Sequence, residues 1–191
     1  MATRVKTLFK AAKARLRGVR RNCAGCRGGS LVCDGSAWAA LDRPSLDEPL
    51  WPARRSAREW SSTPDILRRL SGAILQTQPL RIVETGTFEG LGTTALGLAA
   101  PHEAAVMTFD LDDPEASAPR RANLDALRQA RPDLAVDLTL GDTRETLAGR
   151  AEALAGWAFW YQDSAHDIDG IAAEWAVLAS LAGPGALVVF D

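Results

Sequence analysis

The sequence predicts an α/β domain over residues 63–191, built as a doubly wound, mostly parallel sheet between two layers of helices. Two observations predict this fold class. Short β-branched segments alternate with amphipathic helical segments along the range, which is the pattern of repeated βαβ units. Glycine or acidic residues follow the first four predicted strands, as expected where parallel strands end in ligand-binding turns.

The composition supports a globular protein and excludes two other classes. The 191 residues include 24 acidic and 22 basic residues; 47% are hydrophobic and 24% are charged. No stretch approaches the ~18 uncharged apolar residues of a membrane span, and the apolar content is too high for a largely disordered chain. At roughly 150 residues per domain, the length predicts one domain with an appendage.

Residues 1–33 form a basic N-terminal segment that differs from the rest of the chain. Residues 1–30 contain nine basic residues and no acid, so the remainder carries a net charge of −11. Apolar residues recur at helical spacing from Val5 to Val19, which predicts a short basic amphipathic helix. A solvated extension and a peripheral contact of residues 1–21 with an anionic membrane surface both fit this pattern.

The three cysteines, Cys23, Cys26 and Cys33, all lie in this basic segment. Their odd number and the lack of an apolar signal-peptide core favour a reducing compartment, so we expect a cytoplasmic protein, with peripheral membrane binding as an addition. A zinc site would need nearby further ligands, and a redox pair would follow a strand. Incidental thiols are therefore the simpler interpretation.

Residues 34–62 are predicted to be a linker or a pocket rim. Pro44, Pro49 and Pro52 are spaced too closely for a helix interior. The segment also carries tryptophans, which favour packing against the domain that follows.

The α/β pattern begins at a helix start signal. Thr63, Pro64 and Asp65 match an N-cap, a proline at the first helical position and an acid in the first turn, and Pro79 ends the helix. Its apolar stripe consists of Ile66, Leu67, Leu70, Ile74 and Leu75. The strands that follow are predicted at residues 81–84, 106–111, 136–140, 157–162 and 186–190. The helices between them are predicted at residues 90–100, 120–131, 143–154 and 168–181.

Ligands of doubly wound sheets bind beyond the carboxyl ends of the strands, so the residues there are the candidate site. Gly86 and Gly90 follow the first strand and permit a tight turn that a ligand approaches closely. Asp110 ends the second strand, where a carboxylate accepts ribose hydroxyls in nucleotide-binding folds. We interpret Asp112 and Asp113 as loop acids.

The third and fourth strands end in further candidates. Gly141 allows a base ring to lie against the backbone, and Asp142 suits a hydrogen bond from an exocyclic amine, a helix cap, or both. Asp163 and His166 follow the fourth strand, and this pair suits metal ligation or general base catalysis. The alternative is a helix-capping Asp163 with His166 at the surface.

Together these motifs resemble a class I S-adenosylmethionine-dependent methyltransferase with a Rossmann-like fold. The motifs are Val83 to Gly90, Thr108 to Asp112, Gly141-Asp142, Asp163 to His166, and Leu181 to Asp191. Over residues 62–191 the chain is most similar to the small-molecule O-methyltransferase group whose fourth strand ends in Asp-x-x-His.

The resemblance implies a role for each candidate residue. The cofactor-binding set is Glu84, Gly86, Thr87 and Gly90 around the methionine part, Asp110 at the ribose, and Gly141 and Asp142 at the adenine. His166 and Asp163 are the implied catalytic residues. In related enzymes a divalent cation such as Mg²⁺ binds near these positions, and Asp163 and Asp191 match two of its ligands.

The end of the chain departs from the family pattern. Family members have seven strands, of which the last two form an antiparallel hairpin, whereas five strands are predicted here before Asp191. We therefore expect the terminal hairpin to be missing from this chain and the fifth strand to be an exposed edge.

The sequence thus predicts methyl transfer from S-adenosylmethionine to an oxygen of a small molecule or a sugar. The acidic body disfavours a nucleic-acid substrate, and an oligomer is compatible with the pattern. One alternative is a non-catalytic or truncated S-adenosylmethionine-binding remnant. An NAD-dependent oxidoreductase is less favoured, because the glycines after Gly86 are Gly90 and Gly92, which do not match Gly-x-Gly-x-x-Gly.

Overall fold

A computed structural model describes residues 62–164 and 166–190 of the chain. The predicted basic helix, the three cysteines and almost all of the predicted linker lie outside the described residues, as does Asp191. The boundaries predicted at residues 33 and 62 therefore stay predictions.

The described residues alternate helices and strands in the predicted order. The helices are α1 (Pro64–Thr77), α2 (Leu91–Ala99), α3 (Pro114–Ala130), α4 (Thr143–Gly149), α5 (Ala151–Leu154) and α6 (Ile168–Leu178). The strands are β1 (Arg81–Thr85), β2 (Ala105–Asp110), β3 (Ala135–Leu140), β4 (Trp157–Gln162) and β5 (Ala182–Phe190). The predicted start of α1 is confirmed, because the Thr63 hydroxyl accepts a hydrogen bond from the Ile66 amide at 3.4 Å.

The five strands form one parallel sheet in the order β3-β2-β1-β4-β5. The chain winds from β1 outward to β3, returns to the other side of β1 at β4, and ends at β5. This reversal confirms the doubly wound fold class and places the switch point between β1 and β4. The β4–β5 register shifts between Trp157, opposite Ala182, and Phe159, opposite Leu187.

Helices cover both faces of the sheet. On one face α2 packs between α1 and α3. On the other face α4, α5 and α6 contribute Leu147, Leu154 and Leu178 to a cluster with strand residues. The strand residues of that cluster are Val83, Met107, Phe109, Trp157 and Trp160. Because strand side chains alternate between faces, neighbouring residues of β1 point into different layers.

The prediction for α3 was wrong at its N-terminus. The helix begins at Pro114 and not at residue 120, and Asp113 is its N-cap, accepting a hydrogen bond from the Glu115 amide at 2.9 Å. Asp113 is therefore not a loop acid. The start signal is the same as that of α1, a capping residue before proline, but Pro119 lies inside the helix, where a proline normally marks a boundary.

Three further differences from prediction are larger than a shift of one residue at the end of an element. The helix predicted at residues 143–154 is interrupted at Arg150, which separates α4 from α5. α6 ends at Leu178, three residues early, and β5 begins at Ala182, four residues early. Leu75 is 41% exposed because it lies on the solvent side of the last turn of α1, so it is not a core residue.

Candidate functional site

The turn after β1 lies at the switch point and is pressed against the end of β4. Gly86 has φ +97°, and a Cβ atom on it would lie 2.2 Å from the carbonyl oxygen of Asp163. Its amide donates to the carbonyl oxygen of Phe109 at 2.8 Å, while the Asp163 amide donates to that of Thr85 at 2.7 Å. Only glycine fits this position, because both the backbone angle and the space exclude a side chain.

A small cavity opens beside this turn. It is lined by Ser62, Gly86, Thr87, Phe88, Glu89, Leu91, Gly92 and Asp163. The structure therefore brings three predicted site residues, Gly86, Thr87 and Asp163, to one cavity. Gly90 closes the same turn with φ +82° and donates its amide to the carbonyl oxygen of Thr87 at 2.7 Å.

Glu84 lies beneath this cavity and is fully buried. Its Oε2 accepts hydrogen bonds from the hydroxyls of Thr108, at 2.6 Å, and Thr93. Its Oε1 has no hydrogen-bond partner among the described residues and faces Gly92, where a Cβ would lie 2.4 Å away. Glycine at this position of α2 therefore makes room for the carboxyl group.

The environment of Glu84 strongly favours its protonated form. Burial raises the pKa of the Glu84 carboxyl to about 8, and repulsion from Asp163 and Asp110 adds to this effect. The hydrogen bonds from Thr108 and Thr93 act in the opposite direction. Three carboxylates thus converge on the ends of β1, β2 and β4.

Asp110 ends β2, and one of its carboxylate oxygens is held by two donors. Its Oδ2 accepts from the Phe88 amide at 2.9 Å and from the Arg120 guanidinium at 2.6 Å. Arg120 is 2% exposed, so this is a buried ion pair. Burial raises the pKa of Asp110, while the Arg120 charge and backbone hydrogen bonds from Leu111 and Phe88 oppose that shift.

Arg120 was missed by the sequence analysis, although a signal for it exists. It occupies a position on the apolar stripe of α3, four residues after Ala116 and four before Leu124, both buried. One turn further on, Asn123 donates to the carbonyl oxygen of Glu89 at 2.7 Å. A charged residue on a buried helical stripe predicts a buried partner, here Asp110.

The turn after β3 differs from the turn after β1 because it is open to solvent. Gly141 has φ +134° and donates its amide to the carbonyl oxygen of Asp110 at 2.8 Å. Asp142 caps α4 by accepting from the Arg144 amide at 2.9 Å, which confirms the predicted capping role. Hydrogen bonds from the Arg144 guanidinium lower the pKa of Asp142 to about 2.

Asp163 and His166 are placed differently after β4. The Asp163 carboxylate accepts from the Tyr161 hydroxyl at 2.9 Å and the Ser62 hydroxyl at 3.4 Å, and it lines the cavity. His166 is exposed. The alternative of a helix-capping Asp163 is wrong, because the cap of α6 is Asp167, which accepts from the Gly170 amide at 2.8 Å.

Another buried carboxylate, Glu174 of α6, joins three of the strand ends. Its Oε2 accepts from the Thr85 hydroxyl at 2.9 Å, and its Oε1 accepts from the hydroxyls of Thr143, at 2.7 Å, and Ser164. The sequence analysis missed this residue. Its signal is again a charged residue on a buried helical stripe, four residues before Leu178.

Two absences hold within the part of the chain that the structure describes. No group of three or more His, Cys, Asp or Glu side chains there is arranged to hold a metal ion. The second predicted metal ligand, Asp191, lies outside that part. Among the described helices, none is long and apolar enough to cross a membrane.

Several solved structures share this fold. An O-methyltransferase from Bacillus cereus in complex with S-adenosylhomocysteine is 17% identical over 84% of this chain and 68% of that chain, with a TM-score of 0.62. A methyltransferase from Geobacter sulfurreducens is 20% identical over 85% and 80% of the two chains, with a TM-score of 0.61. The O-methyltransferase TomG from Streptomyces achromogenes, in complex with S-adenosylmethionine, is 21% identical over 84% and 74%, with a TM-score of 0.59.

The structural similarity of these proteins shows a common fold, and comparison of the sequences shows the family. No curated protein matches the chain in sequence. The profile of a family described as "Methyltransferase domain" matches residues 83–191, which is more than half of the chain and includes every strand but the first two residues of β1. The chain therefore belongs to this family and is a class I S-adenosylmethionine-dependent methyltransferase.

Proposed function

We propose that this enzyme transfers the methyl group of S-adenosylmethionine to an oxygen of a small molecule or a sugar. The observation that carries the proposal is the joint at the switch point, where the Gly86 turn lies against Asp163 with Glu84 and Asp110 beside it. Structural neighbours that are O-methyltransferases, some with S-adenosylmethionine or S-adenosylhomocysteine bound, support the type of acceptor.

The residues present fit a cationic cofactor. Asp110 and Asp163 repel the Glu84 carboxylate, and a positively charged ligand at the adjoining cavity would relieve that repulsion. Oε1 of Glu84 also lacks a partner among the described residues. S-adenosylmethionine carries a sulfonium and an ammonium group, so its charge matches this need.

We assign the cofactor-binding positions that the family resemblance implies, and the geometry of the site is compatible with them. Glu84, Gly86, Thr87 and Gly90 surround the methionine part, and Asp110 accepts the ribose hydroxyls while Arg120 holds it in place. Gly141 and Asp142 lie at the adenine end. This assignment places the adenine at the open turn and the charged groups at the enclosed turn, where the field of the carboxylates is least screened.

The chemistry asks little covalent participation of the protein. When bound, the cofactor supplies an electrophilic methyl group. The protein has to hold the acceptor oxygen in line with that group and take its proton. Asp163, which lines the cavity, and the exposed His166 three residues later are the candidate bases. If Mg²⁺ takes part, Asp163 and Asp191 are its candidate ligands, and the cation would lower the pKa of the acceptor hydroxyl.

The first test is calorimetric titration of the full-length protein with S-adenosylmethionine, S-adenosylhomocysteine and NAD. We expect both adenosyl compounds to bind and NAD not to bind. Gly86→Arg should abolish binding, and Asp110→Ala should weaken it by about tenfold or more, because a charge-assisted hydrogen bond is lost. Asp125→Ala, an exposed aspartate on α3, is the matched control and should bind normally. Unchanged affinity in both site variants, or binding of NAD alone, would contradict the proposal.

The second test is transfer of a labelled methyl group to a panel of phenols, hydroxy acids and sugars, before and after chelation of divalent cations. We expect transfer to an oxygen, and its loss in Asp163→Asn if Asp163 is the base or a metal ligand. Cofactor binding without transfer to any compound would instead favour the non-catalytic remnant.

A third test concerns the proposed membrane contact of residues 1–21 in a cytoplasmic enzyme. Co-sedimentation with anionic vesicles is compared between the full-length protein and a variant starting at Gly35.

A further inference from the structure

Glu174 is a buried carboxylate that is not among the predicted site residues. It is 0% exposed on α6, on the face of the sheet opposite Glu84. Burial of a carboxylate costs free energy unless hydrogen bonds compensate for the lost water. Three hydroxyl donors provide that compensation here, and each of them comes from a different strand-end turn.

Each donor is the neighbour of a proposed site residue. Thr85 precedes Gly86, Thr143 follows Asp142, and Ser164 follows Asp163. The three turns meet at one carboxylate, although the donors lie 89, 31 and 10 residues away from it along the chain. The arrangement therefore links the adenine-end turn, the methionine-end turn and the turn that carries the candidate base.

The connection to the Gly86 joint is direct. A Cβ on Gly86 would meet the carbonyl carbon and oxygen of Asp163 and the amide nitrogen of Ser164. The peptide between Asp163 and Ser164 thus forms the surface against which Gly86 rests. Because the Ser164 hydroxyl donates to Glu174, the carboxylate holds that peptide, and with it the position of Asp163.

Aromatic packing fixes α6 at this place. The Trp160 ring stacks on Trp175, the residue after Glu174, with ring centroids 6.1 Å apart. The Trp160 indole also donates to the Thr85 hydroxyl at 3.1 Å. The carboxylate consequently has one fixed location, at which the three strand-end hydroxyls meet.

We infer that Glu174 is a positioning residue that sets the turns after β1, β3 and β4 for cofactor binding through Thr85, Thr143 and Ser164. This inference rests on the proposed function for its effect on affinity, but the coupling between turns is a property of the free protein. Removing one hydroxyl should therefore loosen the other two turns as well as its own.

The test uses variants of the full chain that keep side-chain shape. Thr143→Val removes one hydroxyl, and Thr143→Ser retains it. Ser164→Ala removes another, and Glu174→Gln keeps the volume while replacing one acceptor oxygen by a donor. Asp169→Asn, an exposed carboxylate on the same helix, is the matched control. Amide hydrogen exchange and calorimetric titration with S-adenosylmethionine are measured on each, below its unfolding temperature.

Three results are expected. Thr143→Val and Ser164→Ala should each weaken cofactor affinity by about tenfold, Thr143→Ser should recover most of it, and Asp169→Asn should not change it. A double variant that combines Thr143→Val with Ser164→Ala should weaken cofactor affinity by less than the product of the two single factors, because both hydroxyls act through one carboxylate. Amide exchange at residues 85–88 should increase in Thr143→Val, although the substitution lies in another turn.

A purely structural role would give a different pattern. If Thr143→Val and Ser164→Ala lower the unfolding temperature but leave affinity and exchange at residues 85–88 unchanged, the inference is overturned while the proposed function stands. If the unsubstituted protein does not bind S-adenosylmethionine, the proposed function fails, and the exchange measurement alone decides the coupling between turns.

Discussion

Two fully buried carboxylates, Glu84 and Glu174, lie on opposite faces of the sheet near the end of β1, and they differ in how their oxygens are satisfied. Glu84, on the α2 side, has two hydroxyl donors on one oxygen and none among the described residues on the other. Glu174, on the α6 side, has donors on both oxygens. One oxygen of Glu84 is thus left for a ligand to bind, whereas both oxygens of Glu174 already accept hydrogen bonds from the protein.

The difference indicates that the hydrogen-bond networks of Glu84 and Glu174 have different roles around the end of β1. The side chains of Glu84 and Thr85 are neighbours in sequence but point into different layers, so one strand end serves both networks. The Glu84 face offers a ligand an oxygen without a partner among the described residues, beside the carboxylates of Asp110 and Asp163. The Glu174 face sets the geometry of the turns. Gly86 follows directly and lies against Asp163, between the two networks.

The largest effect on stability is expected from a side chain at Gly86, where the turn after β1 lies against Asp163. Gly86→Ala places a Cβ 2.2 Å from a backbone oxygen at a φ that disfavours side chains. We expect the free energy of unfolding to fall by about 2–4 kcal/mol, as measured by chemical denaturation. Gly149→Ala, where a Cβ meets nothing within 4 Å, should have little effect. Equal stability of both variants would show that the joint is not tight.

A loss of comparable size is expected on the Glu84 face when Asp110 loses its partner. Arg120→Met removes the buried cation and leaves a half-buried carboxylate without it. The free energy of unfolding should fall by about 3 kcal/mol, because breaking one side of a buried ion pair strands the other charge. Arg121→Met, at the exposed neighbouring position, should change it by less than about 0.5 kcal/mol. Similar values for the two variants would contradict the buried pair.

The pH dependence of stability tests the state of Glu84 itself. Because its pKa is raised from 4.5 to about 8 in the folded protein, the folded state keeps a proton that the unfolded chain releases. Glu84 therefore makes stability fall as the pH rises through this window, by at most about 1.4 kcal/mol per pH unit. Glu84→Gln should flatten this decline in denaturation curves measured between pH 5 and pH 8. An unchanged slope would mean that Glu84 ionises at its ordinary pKa.

The smallest effect on stability is expected at Asp142, in the turn after β3. Its contribution makes stability rise with pH, which is opposite to the effect of Glu84. The pKa of Asp142 is lowered from 3.8 to about 2, so its contribution is present above pH 3.8 and is lost as the pH falls toward 2. Asp142→Asn should be slightly less stable than the unsubstituted protein at pH 7 and equal to it near pH 2. A difference between the two proteins that persists at pH 2 would exclude ionisation of Asp142 as its cause.

Local signals were sufficient for much of the fold. The Thr63-Pro64-Asp65 start of α1 and the span of β4 were predicted correctly, because a capping residue before proline and a short aromatic strand act over a few residues. The same local signal is present at Asp113 and Pro114, but a proline at position 119 normally marks a helix boundary. The helix α3 nevertheless continues through Pro119, and Arg120 and Asn123 just beyond it form tertiary hydrogen bonds. The candidate residues Gly86, Thr87 and Asp163 were found because parallel strands end at one edge.

The sequence by itself determined the order of strands and helices, because alternation and turn residues express the backbone topology, and its motifs determined the family. Which turns meet at the switch point depends on the order of the strands in the sheet, which the structure revealed. Only the tertiary structure decided which acids are buried and which donors pair with them. Glu84 and Asp142 look alike as acids at strand ends, yet burial raises the pKa of one and an arginine lowers that of the other. Glu174 and Arg120 depended on partners far away in the chain, and hydrogen bonding across such separations exists only after the layers have packed.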